Sequence, residues 1–132
     1  MKVLAILLGG GLGATLRYVL WQNFAAATPP HFPWVTFAIN VVGAFALAAV
    51  TTLVGAHLLT GPWGKPFLST GLIAGFTTWS HLIVESDQLI GARRTGSAIS
   101  YLILSIVGGV VAAALGARLA EVKVGRPAAG GR

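Results

Sequence analysis

The chemistry available to this chain lies in neutral hydrogen-bonding side chains set inside apolar runs. Asn40 stands in Asn40-Val-Val-Gly43-Ala-Phe45, and Thr36 lies one helical turn earlier on the same face. Tyr101 and Ser105 repeat that four-residue spacing near the end of the chain. Between Lys65 and Glu85 no residue is charged, yet the centre reads Gly71-Leu-Ile-Ala-Gly75-Phe-Thr77-Thr78-Trp79-Ser80. A plain lipid anchor would fill that middle with Leu, Ile and Val. Glycines and hydroxyls there predict a helix that breaks at membrane depth. Non-helical backbone survives in a bilayer only where it is buried in protein or faces a water-filled path. Broken helices present carbonyl and N–H groups that bind ions, so the segment points to transport.

The same inventory narrows the substrate. A proton-coupled transporter carries an ionisable group at the bilayer centre. The central polar residues here do not titrate near neutral pH; Glu85 falls late in its span, with Asp87 beyond it. His81 is the one titratable group close to the expected break, either as hydrogen-bonded structure or as a proton relay. Hydroxyl and amide donors without a central carboxylate suit a small anion that sheds water in steps. Arg17, inside the first apolar run, either raises the local anion concentration at a pore mouth or snorkels to the interface. Asn40 is open to two readings as well: an amide in hydrocarbon is costly unless partnered, so it faces a neighbouring helix or a pore.

Composition supplies the elements that must position these groups. The chain has 132 residues, 55% hydrophobic and 9% charged, against about 25% charged in soluble domains. It reads as an all-α membrane protein. Residues 3–16, 18–64, 66–84 and 95–117 carry no Asp, Glu, Lys or Arg. The long second stretch is cut by Thr28-Pro29-Pro30-His31-Phe32-Pro33, a helix-stopping cluster. Spans of about 20 residues are needed, which predicts four transmembrane helices near 3–24, 34–59, 66–90 and 96–120, the third broken near its midpoint. They form one domain, 1–120, followed by a disordered basic tail, 121–132. The first stretch lacks an Ala-x-Ala-like site after a short apolar core and contains Arg17, so it is expected to be a span and not a cleaved leader.

The net charge of +6 resides at span ends and in the tail, which is not the pattern of a nucleic-acid surface. Lys2, Lys65, Arg118, Lys123, Arg126 and Arg132 fall on one side of a four-span layout, with Arg93 and Arg94 on the other. The positive-inside rule then puts both termini in the cytoplasm. Zero cysteines excludes disulfides and thiolate metal sites. Glycines at 9, 10, 11, 13, 43, 71, 75, 108 and 109 suit close helix packing in lipid, with Gly75 set apart by the hydroxyls that follow it. Asn40-x-x-Gly43 and Ser105-x-x-Gly108 echo one another, through chance or through related roles on one conduit.

Taken in order, Gly10-Gly11-Leu-Gly13-Ala14-Thr-Leu-Arg17-Tyr18, Asn40-Val-Val-Gly43-Ala-Phe45 and Gly71-x-x-x-Gly75-Phe-Thr77-Thr78-Trp79-Ser80 with Glu85 resemble the small four-helix fluoride channels called Fluc or CrcB. Tyr101 and Ser105 fit the fourth span. The resemblance implies a fluoride-selective channel that exports the ion passively, built as an antiparallel (inverted) dimer in the cell membrane. It implies a structural sodium ion held by the backbone carbonyls of Ala74 and Thr77, although the family usually has Gly where Ala74 stands. Asn40, Thr36, Thr78, Trp79, Ser80, Leu82, Tyr101 and Ser105 would line the fluoride path, and Arg17 its vestibule. The chain departs from the family at Trp79 and Leu82, where the usual Thr-Thr-Phe-Ser-Thr-Phe has phenylalanines whose ring edges meet the anion. Trp79 keeps a polarised edge; Leu82 offers none. The second inverted subunit is therefore either identical or a paired homologue.

Two other classes frame the expectation. A small multidrug exporter needs a membrane-embedded carboxylate that exchanges protons for cations, and the first span has none. A non-transporting scaffold would use every polar group for packing. An enzyme is not expected, since no nucleophile–base pair or metal-ligand cluster stands out.

Overall fold

A computed structural model describes residues 2–25, 31–58, 61 and 63–125. Its elements are α1 (Lys2–Phe24), α2 (Trp34–Gly55), a π-helical segment (Pro66–Ile73), α3 (Ala74–Phe76), α4 (Trp79–Gly91) and α5 (Thr95–Val124). Four helical stretches are long and apolar enough to cross a membrane: α1, α2, α5, and the compound stretch Pro66–Gly91. The described chain is all-helical, as its hydropathy dictates.

Span ends follow from local backbone chemistry. α2 stops at Gly55, short of the expected residue 59, because His57 takes a left-handed conformation with φ 58°. The Leu58 N–H then reaches back to the Leu53 carbonyl at 3.0 Å, closing off carbonyls that the helix end leaves free. α4 ends the same way: Arg93 has φ 58°, and Arg94 N–H bonds the Leu89 carbonyl at 2.8 Å. This turn brings α5 back within a few residues. α5 in turn runs to Val124, so residues 121–124, expected in a disordered tail, are helical. Residues 126–132 of that tail, and Thr28-Pro29-Pro30 of the helix-stopping cluster, lie outside the described residues.

Small residues set the packing. α1 lies along the π-helical segment, and α2 along α5. A methyl group on Gly75 would sit 2.6 Å from the Gly10 carbonyl oxygen, and one on Gly71 would sit 2.9 Å from the Gly9 Cα. Gly9 and Gly13 face the same segment from α1. Gly75, set apart in the sequence as a feature of the break, is thus also a packing glycine. On the other side Gly116 abuts the Phe45 backbone and Gly108 the Phe37 ring. Backbone-to-backbone approach of this kind is how helices gain van der Waals contact in lipid. A compact apolar centre forms from Leu82, Leu89, Ala98 and Tyr101, with Phe32, Phe37 and Leu102 against it. Most other large apolar side chains, among them Leu7, Leu12, Ile103 and Val110, point outward.

Candidate functional site

The third span is broken between α3 and α4. Thr77 has φ −73° and ψ 156°, and Thr78 has φ −148° and ψ 122°, both extended. Two extended residues leave the helical ladder short of donors and acceptors, and at membrane depth those groups must find partners. Asn40 supplies them. Its Oδ1 accepts from the Thr78 N–H at 2.8 Å, and its Nδ2 donates to the Thr78 carbonyl at 2.9 Å. The side-chain amide thereby imitates a strand partner for one residue. Gly43, one turn along α2, leaves room for the Thr77 side-chain methyl beneath that clamp.

The break diverts two backbone donors from their helical acceptors. In a continuous helix the Thr78 N–H would bond the Ala74 carbonyl, and the His81 N–H would bond that of Thr77. Here the first goes to Asn40, and the second goes to Thr78 Oγ1 at 3.2 Å as a helix N-cap. The Ala74 and Thr77 carbonyls are left without their helical N–H partners; Thr77 Oγ1 approaches the Ala74 carbonyl only at 3.4 Å. Thr77 Oγ1 also back-bonds to the Ile73 carbonyl at 3.2 Å, and Ser80 Oγ lies 3.1 Å from Thr78 Oγ1.

A second cluster gathers around Glu85. Thr36 Oγ1 donates to its Oε1 at 2.8 Å, Trp21 Nε1 to the same oxygen at 3.3 Å, and Tyr101 Oη to its Oε2 at 2.7 Å. One carboxyl group therefore ties α1, α2 and α5 to α4. Trp21 stacks on His81, ring centroids 5.6 Å apart and planes 8° from parallel. Arg17 Nη1 lies 3.4 Å from His81 Nδ1, while Arg17 Nε is buried with no partner. The row Arg17, His81, Trp21, Glu85 thus runs from α1 across to α4.

The structure brings most of the expected residues together. The Thr36/Asn40 and Tyr101/Ser105 stripes both face the broken span, since Thr36 and Tyr101 meet at Glu85 and Asn40 holds Thr78. Ser105, one turn from Tyr101, is buried with its Oγ unpartnered. A buried hydroxyl without a partner is uncommon and marks a place where another acceptor or donor fits. Thr78 is buried, whereas Trp79 and Ser80 point out of the protomer, Trp79 with 65% of its surface exposed. Leu82 stands apart from the others: it is 1% exposed and sits in the apolar centre beside Tyr101.

Glu85 is the residue that the sequence alone undervalued. Its position late in the span suggests an interfacial acid and gives no hint that side chains from three other helices converge on it. Its spacing carries a signal: Glu85 falls two helical turns after Thr78, while Thr36 and Tyr101 precede Asn40 and Ser105 by one turn on helices that meet it. Above it opens a cavity of about 630 Å³, lined by Trp21, Phe32, Trp34, Thr36 and Glu85 among others. No group of three or more His, Cys, Asp and Glu side chains able to hold a metal is present among the described residues.

A four-span bundle whose third span is opened by a side-chain amide defines a membrane protein of the ion-conducting class. The chain belongs to the family described as "CrcB-like protein, Camphor Resistance (CrcB)", which it matches over residues 4–117. It is 40% identical over 112 residues to "Fluoride-specific ion channel FluC 2" of Nocardia farcinica, covering 83% of this chain and 79% of that one. Against "Fluoride-specific ion channel FluC" of Chloroflexus aurantiacus it is 38% identical over 122 residues, 89% of this chain and 94% of the relative. "Fluoride-specific ion channel FluC 1" of Mycolicibacterium paratuberculosis is 36% identical over 118 residues, 89% of each chain.

Proposed function

We propose that the chain is a subunit of a fluoride-specific channel that lowers cytoplasmic fluoride by passive export across the plasma membrane. The observation that carries this reading is the third span, held open by Asn40 at Thr78, in a chain whose relatives are named for fluoride conduction. Fluoride is small and strongly hydrated, so a path for it must replace water by donors at close intervals. Ser105 Oγ, the Thr78 and Ser80 hydroxyls and the spare N–H of the Asn40 amide are neutral donors of that kind. The Trp79 indole N–H and ring edge extend the set at the protomer surface. Thr36 and Tyr101 serve the anion only by releasing Glu85, which makes that carboxyl a competing acceptor at the mouth. Arg17, with an unpartnered Nε, draws the anion towards it. Leu82 closes the path on its inner side as an apolar wall.

The conducting unit is a dimer with a second, inverted subunit, identical or a paired homologue. Exposure of Trp79, Ser80 and Ile83 at the break supports this, because it leaves that face for a partner. The Ala74 and Thr77 carbonyls, stripped of their helical donors, fit a structural sodium ion between subunits: hard oxygen ligands suit a hard cation, and the ion would cancel their unmet dipoles. Where the partner is a paired homologue and this subunit's orientation is fixed, both its termini face the cytoplasm, following the basic residues at the helix ends; the outward apolar side chains meet lipid. Reconstitution into fluoride-loaded liposomes tests the reading. Fluoride efflux without a proton or sodium gradient, and without matching chloride efflux, is the expected result; flux driven only by a pH gradient would overturn it.

A further inference from the structure

The cavity above Glu85 sets several aromatic side chains around one acid. It is a partly open cleft of about 630 Å³, within the ordinary range for small-molecule sites. The rings of Trp21, Phe32 and Trp34 line it, and Glu85 is the acidic group in its wall. Every hydrogen bond that Glu85 makes is to a neutral donor, Thr36, Trp21 or Tyr101. Among the described residues no cationic side chain bonds to this half-buried acid, and a partly desolvated carboxylate gains from a charged partner. Those three donors are also spent on Glu85, so they are not offered to an anion in the cavity. Among the described lining residues the aromatic side chains and one acid stand beside a few neutral polar groups, Gln22, His31 and Gln88 among them, and no Lys or Arg. Aromatic rings attract cations through their negative faces, most strongly where water is excluded.

We infer that this vestibule binds a small organic ammonium ion, its charge against Glu85 and its alkyl groups against Trp21, Phe32 and Trp34. Only the consequence for flux rests on the channel reading: a bound ammonium ion plugs the mouth and slows fluoride export. The geometry and the sign of the charge stand without it.

Choline and its uncharged isostere 3,3-dimethyl-1-butanol separate charge recognition from simple apolar filling. Calorimetric titration of the purified full chain should show saturable choline binding, with the alcohol weaker by about tenfold, as a cation–π and ion-pair contribution predicts. Glu85→Gln should weaken choline to the level of the alcohol. Trp34→Leu, at a residue 64% exposed and outside the proposed fluoride path, should weaken it several-fold without unfolding the protein. In liposomes, choline should slow fluoride efflux through the wild-type chain, and should need a several-fold higher concentration to slow Trp34→Leu efflux equally. Equal binding of choline and the alcohol, choline affinity unchanged in both variants, or no choline binding would each overturn the inference. Choline binding by a protein that passes no fluoride would keep the site and remove the channel reading.

Discussion

Asn40 and Thr78 form a closed pair: one side-chain amide both accepts from and donates to the backbone of a single residue, at 2.8 and 2.9 Å. The pair explains how a helix interrupted at membrane depth remains a defined structure. Asn40→Leu leaves a buried N–H and carbonyl unmet, at about 1–3 kcal/mol for each group. Thermal melting in detergent should drop clearly, and fluoride flux should be lost with it. A variant that melts earlier yet conducts normally would show that the clamp serves packing alone.

Tyr101 Oη and Thr36 Oγ1 hold the two oxygens of Glu85. Tyr101→Phe deletes a donor to a charged acceptor, worth roughly 1.5–3 kcal/mol. The ring stays in place, so the apolar centre around Leu82 and Leu89 should be kept. Single-channel or liposome efflux rates should change by about tenfold or more, on the usual conversion of such energies. An unchanged rate would place Glu85 outside the conduction mechanism.

Glycine contacts give a paired prediction. Gly75→Ala forces a methyl group to 2.6 Å from the Gly10 carbonyl oxygen, and both partners are backbone. Overpacking of that kind costs about 1–3 kcal/mol. Gly11→Ala meets nothing within 4 Å and should be neutral, or stabilising by about 0.5–1 kcal/mol through helix propensity. Parallel melts of the two proteins check the contrast, and equal stabilities would contradict the α1 packing described here.

Trp79 tests the partner face. It is 65% exposed in the protomer, so Trp79→Ala should leave protomer melting within about 0.5 kcal/mol, as for surface positions generally. Dimer content in detergent and fluoride flux should both fall. Full dimerisation with full flux would remove Trp79 from the interface and from the path.

Much of this arrangement was legible in the residues. Charge-free runs marked four spans because the bilayer demands length and apolarity, and glycines followed by hydroxyls marked the break because helices resist both. Asn40, Thr36, Tyr101 and Ser105 stood out because amides and hydroxyls in lipid need partners. What stayed hidden was pairing across the bundle. The sequence leaves Asn40 between a helix partner and a pore donor, and only the fold shows that its amide engages the backbone of Thr78. Glu85 looked interfacial because depth along a span says nothing of which neighbours point at it. The family resemblance puts Leu82 on the path, and its side chain packs beside Tyr101 in the apolar centre, so its share in the path is that of an apolar wall. The second span's end at His57 is hidden because a left-handed turn at a non-glycine residue leaves little trace in composition.

The central claim is that the opened third span conducts fluoride. Its most direct measurement is electrode-detected fluoride release from liposomes containing the purified chain with the subunit it pairs with, beside chloride-loaded controls. Rapid fluoride release that needs no ion gradient other than its own, with chloride retained and with Asn40→Asp abolishing the release, is the predicted result. Fluoride and chloride leaving together, or fluoride retained throughout, would contradict it.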